Sequence, residues 1–163
     1  MKNIGRFCAL FLLSILVLSC TEDISRPNPA IQGLKDGVMW RANDQYAELD
    51  QNGGLTIIGL TQYETLTLKT QNHNEGTFIL GNSTARQATF SDSRGAQDVV
   101  FSTGANFGDG QIVITDYDEV ANTVTGSFRF NAINQSTDPE ADNLLNFQQG
   151  NFYKVRVISA TAE

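Results

Sequence analysis

The stretch from Thr123 to Asn131 alternates without a break. Val124, Gly126, Phe128 and Phe130 fall on one side, and Thr125, Ser127, Arg129 and Asn131 on the other. A period of two is the signature of a strand with one face buried and one wet, because successive side chains point to opposite faces of a pleated sheet. No sustained 3.6-residue apolar stripe competes with it beyond the N-terminal thirty residues. The pattern returns at Tyr63–Thr70, with Leu66 and Leu68 inward and Thr65, Thr67 and Lys69 outward. Further strands are predicted at Leu55–Leu60, Thr77–Leu80, Ala88–Ser91, Asp98–Ser102, Gln111–Thr115 and Tyr153–Ile158. Turn signals stand between apolar runs: Asp36-Gly37, Asn52-Gly53-Gly54, Gly108-Asp109-Gly110 and Asp118–Asn122. Gln71–Gly76 reads as another hairpin turn. Asp138 and Pro139 mark a long loop with at most one helical turn before Leu145. Closely spaced strands joined by short turns must cover their apolar faces. The expectation is therefore an all-β fold, an antiparallel β-sandwich, with a curled up-and-down β-barrel as the alternative.

The N-terminus carries a different kind of information. Lys2 and Arg6 precede an apolar run from Phe7 to Leu18 that is broken only by Ser14. The run fits the core of a signal peptide and is shorter than the roughly 20 residues needed to span a bilayer. It closes with Leu16-Val17-Leu18-Ser19-Cys20, which resembles the lipobox of bacterial lipoproteins. The resemblance implies cleavage between Ser19 and Cys20, with the Cys20 thiol accepting a diacylglyceryl group and its freed amine a further acyl chain. Two or three chains suffice for lasting attachment, at about 0.8 kcal/mol per buried CH₂. The expected division is a cleaved signal peptide at 1–19, a lipidated tether at 20–30 and a β domain at 31–163. The tether holds two of the three prolines, and its acidic Glu22-Asp23 resembles the export signal of surface-displayed lipoproteins in Bacteroidetes-type bacteria. Outer-membrane attachment follows as an expectation, with the cell surface favoured over the periplasmic face.

Charge and composition narrow the chemistry. The chain of 163 residues has a net charge of −7, which becomes −9 once the two basic residues of the first nineteen are removed. A nucleic-acid partner is not expected, because phosphate binding needs a basic face that releases counterions. Cys8 leaves with the signal and Cys20 is lipidated, so no disulfide is expected and stability must come from the core. A single histidine, His73, makes a tetrahedral zinc site or a catalytic triad hard to assemble. No cofactor is expected and the chain does not read as an enzyme. The carboxylates define the alternative, in which Asp116, Asp118 and Glu119 crowd one hairpin end as a small hydrolase or calcium-stabilised module. Asp138, Glu140 and Asp142 alternate like the first half of an EF-hand and are candidate calcium ligands. Asn143 replaces the turn glycine, however, and Gln149 the bidentate glutamate.

Contact is the leading functional reading. Outward strand positions rich in Thr, Asn and Gln suit sugar hydroxyls. Trp40 and Tyr117, with Tyr46, Tyr63 and Tyr153, offer aromatic faces for a glycan or an envelope protein; the other reading puts Trp40 in the core and the tyrosines at its boundary with a wet hydroxyl. The chain is thus expected to be a lipid-anchored binding or accessory module, with a passive structural envelope lipoprotein as a third reading. Several phrases taken together resemble a family of small Bacteroidetes-type lipoproteins with an all-β domain of unknown function. They are Gly37–Trp40, Gly76–Gly81, Gln111–Thr115 leading into Tyr117-Asp118, Asn122–Ala132 and Gln149–Phe152. The resemblance covers roughly Ile31 to Ile158. It implies an all-β secreted lipoprotein and assigns no catalytic residue.

Overall fold

The structure is a computed structural model that describes residues 30–137 and 142–159. The expected signal peptide, the Ser19–Cys20 cleavage and lipidation site, nearly all of the tether, and Asp138, Pro139 and Glu140 lie outside those residues. Eleven strands are present: β1 Ala30–Lys35, β2 Val38–Arg41, β3 Asp44–Leu49, β4 Leu55–Leu60, β5 Glu64–Thr70, β6 Gly76–Leu80, β7 Gln87–Asp92, β8 Val99–Ser102, β9 Asp109–Asp118, β10 Thr123–Asn134 and β11 Leu144–Ser159. No helix occurs among the described residues. All eleven strands belong to one sheet, in the order β2-β1-β11-β3-β4-β5-β7-β8-β10-β9-β6.

An additional pairing of β10 with β11 closes part of this sheet on itself. Strand β11 gives one edge to β10, from Leu144 to Arg156. Its other edge is divided between β1, at Phe147–Tyr153, and β3, at Val157–Ser159. Strand β10 likewise pairs with β9 through Thr123–Asn131 and with β8 through Ile133 and Asn134. The ring β11-β3-β4-β5-β7-β8-β10 is therefore continuous, with β1–β2 and β9–β6 as extensions. One half, β2-β1-β11-β10-β9-β6, faces the other, β3-β4-β5-β7-β8, across a shared core. Sandwich and curled barrel are two descriptions of this one arrangement. Strand β11 bends to serve both halves, aided by bulges against β10 and by left-handed backbone at Gln149 (φ 51°) and Lys154 (φ 46°).

The interior is aromatic. Phe147 lies 5.2 Å from Phe128, 5.4 Å from Phe130 and 5.6 Å from Trp40 between ring centroids, and Trp40 meets Phe90 of the opposite half edge-on at 6.0 Å. Two core rings, Phe128 and the buried Phe152, fit because glycine stands directly opposite them. Gly126 pairs with Phe152, and Gly150 with Phe128, across β10 and β11. A Cβ on Gly150 would come within 2.5 Å of the Phe128 ring, and one on Gly126 would collide with the Phe152 ring and the Val113 carbonyl oxygen.

Several expectations are corrected. Strands β1, β2 and β3 were not foreseen, and Ala30 opens β1 instead of ending the tether. The up-and-down order fails at β6. Strand β5 pairs with β7 while β6 pairs with β9, so Gln71–Gly76 is a crossing between the two halves and not a hairpin. The β3–β11 pairing is parallel, the one exception in an otherwise antiparallel sheet. Asp109 and Gly110 begin β9, and the turn before it centres on Gly104–Phe107. Leu144 and Leu145 open β11, where the sequence suggested a loop or a helical turn.

The glycine–aromatic pairs set a ranked prediction. Gly150→Ala should cost about 1–3 kcal/mol, since the Phe128 ring can swing away at the expense of core packing. Gly126→Ala meets backbone as well as a ring, and should lower the melting temperature further. Thermal denaturation of both variants checks the order; a Gly126→Ala protein as stable as wild type would refute it.

Candidate functional site

Trp40 belongs to the core. Only 5% of it is exposed, its ring packs between Phe90 and Phe147, and its indole N–H donates to Glu64 Oε2 at 2.8 Å. No broad face is left for a ligand, so of the two readings of Trp40 the core residue holds and the ligand contact does not. Its partner Glu64 also receives Lys35 Nζ and Arg94 Nη2 on Oε1, the latter at 2.9 Å. Arg94 in turn holds Asp92 through a fork of Nε and Nη2 contacts. This guanidinium keeps the Asp92 carboxyl below its ordinary range, against a smaller opposing effect of burial. Lys35 also sits 4.7 Å above the Phe90 ring centroid. The cluster borders a cavity of about 240 Å³ with an apolar floor that includes Phe90, Phe101 and Leu145. None of Lys35, Glu64, Asp92 and Arg94 stands out in the sequence, because their meeting depends on the β1–β2 hairpin folding over β4 and β5.

Tyr117 lies at a different place and does not share a site with Trp40. It is half-buried against the core, with its ring 4.6 Å from that of His73. Burial, followed by the charge of Glu119, raises its pKa above the ordinary phenol value. His73 Nδ1 is 3.1 Å from the carbonyl oxygen of Gly53. A carbonyl can only accept, so Nδ1 carries the proton. Together these contacts pin the β5–β6 crossing to the β3–β4 turn and to the end of β9, giving the lone histidine a packed role.

The hairpin carboxylates Asp116, Asp118 and Glu119 lie along the tip of β9–β10 and do not form a cluster. Asp118 Oδ1 accepts the backbone N–H groups of Val120 and Ala121 at 2.9 and 2.8 Å, which closes the turn. Asp116 and Glu119 are exposed, and Asp116 stands opposite Thr125. Among the described residues no three His, Cys, Asp or Glu side chains are grouped to hold a metal. Of the candidate calcium ligands only Asp142 is described. It is exposed, and its backbone carbonyl accepts from Asn134 Nδ2 at 3.0 Å.

A groove crosses the outer face of the six-stranded half. Register builds it: Ile79 of β6 lies opposite Gln111 of β9, and Gln111 opposite Arg129 of β10. Two residues along, Asp109 lies opposite Asn131, and Asn131 opposite Asn146 of β11. The period of two turns all these side chains outward, while Phe78, Ile112 and Phe130 point into the core. Ile79, Asp109, Gln111, Arg129, Asn131 and Gln148 line a depression of about 290 Å³. Asn146 Nδ2 donates to Asn131 Oδ1 at 2.6 Å, and Asn131 Nδ2 to Asp109 Oδ1 at 2.9 Å, so the polar ladder is held in place by its own hydrogen bonds. Beside it runs a six-strand row of Thr77, Val113, Ser127, Asn151, Gln32 and Arg41, uncharged until its last member. The outward polarity of this face was readable from the sequence. The groove was not, because it depends on which strands are neighbours.

These features define an all-β domain with a closed aromatic core and a polar, strand-built outer face. The chain belongs to the family of the domain of unknown function DUF6252, whose sequence model matches residues 27–156. No curated protein and no solved structure matches the chain.

The charge cluster makes two measurable claims. Removing Glu64 takes the carboxylate from Lys35 and from the buried Trp40 indole N–H, while Arg94 keeps Asp92, so Glu64→Ala should cost about 1–3 kcal/mol. Arg94 is 56% exposed, so Arg94→Ala should cost less than about 1 kcal/mol. A lowered Asp92 pKa stabilises the fold above the ordinary carboxyl pKa of about 3.9, and this contribution is lost as pH falls through the folded value. The stability gap between wild type and Arg94→Ala should therefore be steady near neutrality and shrink below about pH 4. Urea denaturation across that range tests it, and a gap that widens in acid would contradict the assignment.

Proposed function

We propose that this protein is a lipid-anchored component of the bacterial outer envelope whose β domain binds an envelope glycan on the outer face of its six-stranded half. Signal peptide 1–19 is removed before Cys20, which carries the lipid, and residues 20–29 tether the domain to the membrane. Surface display, in the manner of Bacteroidetes-type lipoproteins, is the orientation that Glu22-Asp23 favours. The role is contact and not catalysis. One observation carries the binding role: amide and carboxylate groups at strand register surround a groove the size of a sugar unit, with Ile79, 47% exposed, beside them. Sugars are recognised by this combination, because fixed donors and acceptors meet hydroxyls while an apolar side chain covers C–H groups. The strands hold these groups rigidly, which lowers the ordering cost of binding.

Two experiments test the proposal. Metabolic labelling with a fatty acid should mark the wild-type chain and leave Cys20→Ala unmarked; equal labelling would remove the lipid anchor. A glycan array probed with the full chain should give signals that fall at least fivefold in Gln111→Ala and Asn131→Ala. Trp40 and Tyr117 lie away from the groove, so Tyr117→Phe should bind as wild type does. Array signals that survive both groove substitutions would place binding elsewhere.

A further inference from the structure

We infer that the groove selects a carboxylate-bearing saccharide, a uronic-acid unit, with Arg129 as the residue that reads the acid. The inference rests on the glycan-binding reading above and sharpens it to a ligand class. Arg129 is the only cation among the groove-lining residues. The ion pairs of the described residues are Lys35–Glu64, Arg94–Glu64 and Arg94–Asp92, and Arg129 takes part in none of them. Its one side-chain partner is the neutral Gln111 Oε1, at 3.3 Å from Nη2. A guanidinium presents five donors in a planar fork that matches a carboxylate bidentately, and here most of that fork is free. The side chain is exposed and projects from the middle of β10, where Arg129 pairs with Gln111 of β9 on one edge and sits at a bulge against β11 on the other.

The rest of the groove distinguishes an acidic sugar from a simple anion. Asp109 lies one period of the strand away from the Gln111–Arg129 row, a step of about 7 Å. Its Oδ1 is taken by Asn131, and Oδ2 is available to accept. A small free anion would gain Arg129 and be repelled by Asp109. A uronate unit can place its carboxylate on Arg129 and offset the same repulsion by donating hydroxyls to Asp109, which a small anion cannot do. Gln148, from β11, supplies a further amide, and Ile79 sits at the β6 side of the groove.

Isothermal titration of the full chain with an oligogalacturonate and with its carboxyl-reduced counterpart tests this directly. Wild type should bind the acidic chain at least tenfold more tightly than the reduced one. Arg129→Gln should abolish that preference, and Arg129→Lys should recover only part of it, since an ammonium keeps the charge without the fork. Melting temperatures within a degree or two of wild type would show that the exposed substitutions leave the fold intact. Equal affinity for both oligosaccharides, with both weakened by Asn131→Ala, would overturn the acidic selection and leave glycan binding standing. An unchanged preference in Arg129→Gln would also overturn it. If a sulfated oligosaccharide binds through Arg129 and the uronate does not, the anionic class assigned here is wrong. If the chain binds no saccharide in the array or the titration, both this inference and the glycan reading fall.

Discussion

Strand β11 gives β10 one edge along almost its entire length and must share the other between β1 and β3. Everything else in the domain depends on this division. A straight strand could not serve both halves, because the sheet has to turn a corner between Tyr153, the last residue paired with β1, and Val157, the first paired with β3. The bulges against β10 and the left-handed residues Gln149 and Lys154 supply that turn. The Gly126–Phe152 and Phe128–Gly150 pairs then let two strands approach closely while large rings fill the interior. Each glycine leaves the space that the opposite ring occupies. Both strands thus contribute to a core formed without any disulfide among the described residues.

Closure also explains where charge is tolerated. Glu64 is only 12% exposed as a side chain, and a carboxylate in such a position requires partners. It has three, from Lys35, Trp40 and Arg94. The β1–β2 hairpin would otherwise be a short extension on one edge of β11. Through Lys35 and Trp40 it is fastened instead to the start of β5 in the opposite half. The same hairpin makes a tight turn at Asp36 (φ 49°) and Gly37 (φ 79°), two residues in the left-handed region that suits the twist of paired strands. Turn chemistry, aromatic packing and the ion cluster therefore act on one structural task, which is holding an edge of the sheet against the core.

This division of labour decides what could be read in advance. The alternation in β4, β5 and β10 is strong because each of those strands has one dry and one wet face, and their inward residues, Leu66, Leu68, Val124 and Phe128 among them, are all buried. Strands β1 to β3 lack that clarity. Val38 and Met39 are exposed although apolar, and β3 carries Asp44 and Glu48 beside Ala47, so neither gives a clean period. The crossing at Gln71–Gly76 has ordinary turn residues, and turn residues report a change of direction without reporting the next partner. Long-range register has no local signature at all. Arg129 and Asn131 were correctly placed on the outer face by periodicity, whereas their neighbours Gln111 and Asp109 follow only from the β9–β10 pairing. Trp40 is open to two readings, core residue and aromatic platform, for a related reason. An indole on a short strand looks available until the opposite half supplies Phe90 and Glu64.

The groove differs in kind from the other polar features because it requires nothing of the fold. Asp118 closes a turn, His73 pins a crossing, and Glu64 fastens a hairpin; each has a structural reason to be where it is. Arg129 has none of these duties. Its backbone position is secured by strand pairing alone, and Gln111, Asn131 or Asn146 could each be another outward polar residue without disturbing the core. Yet the amide–carboxylate ladder from Asn146 through Asn131 to Asp109 is ordered by hydrogen bonds of 2.6 and 2.9 Å. Such ordering restricts side-chain freedom on an open face, where solvent would satisfy each group equally well. Preorganised polar groups that leave the core unaffected are what a binding surface requires. In a chain whose net charge is −7, a free guanidinium at the centre of that surface adds a sign preference the rest of the molecule lacks.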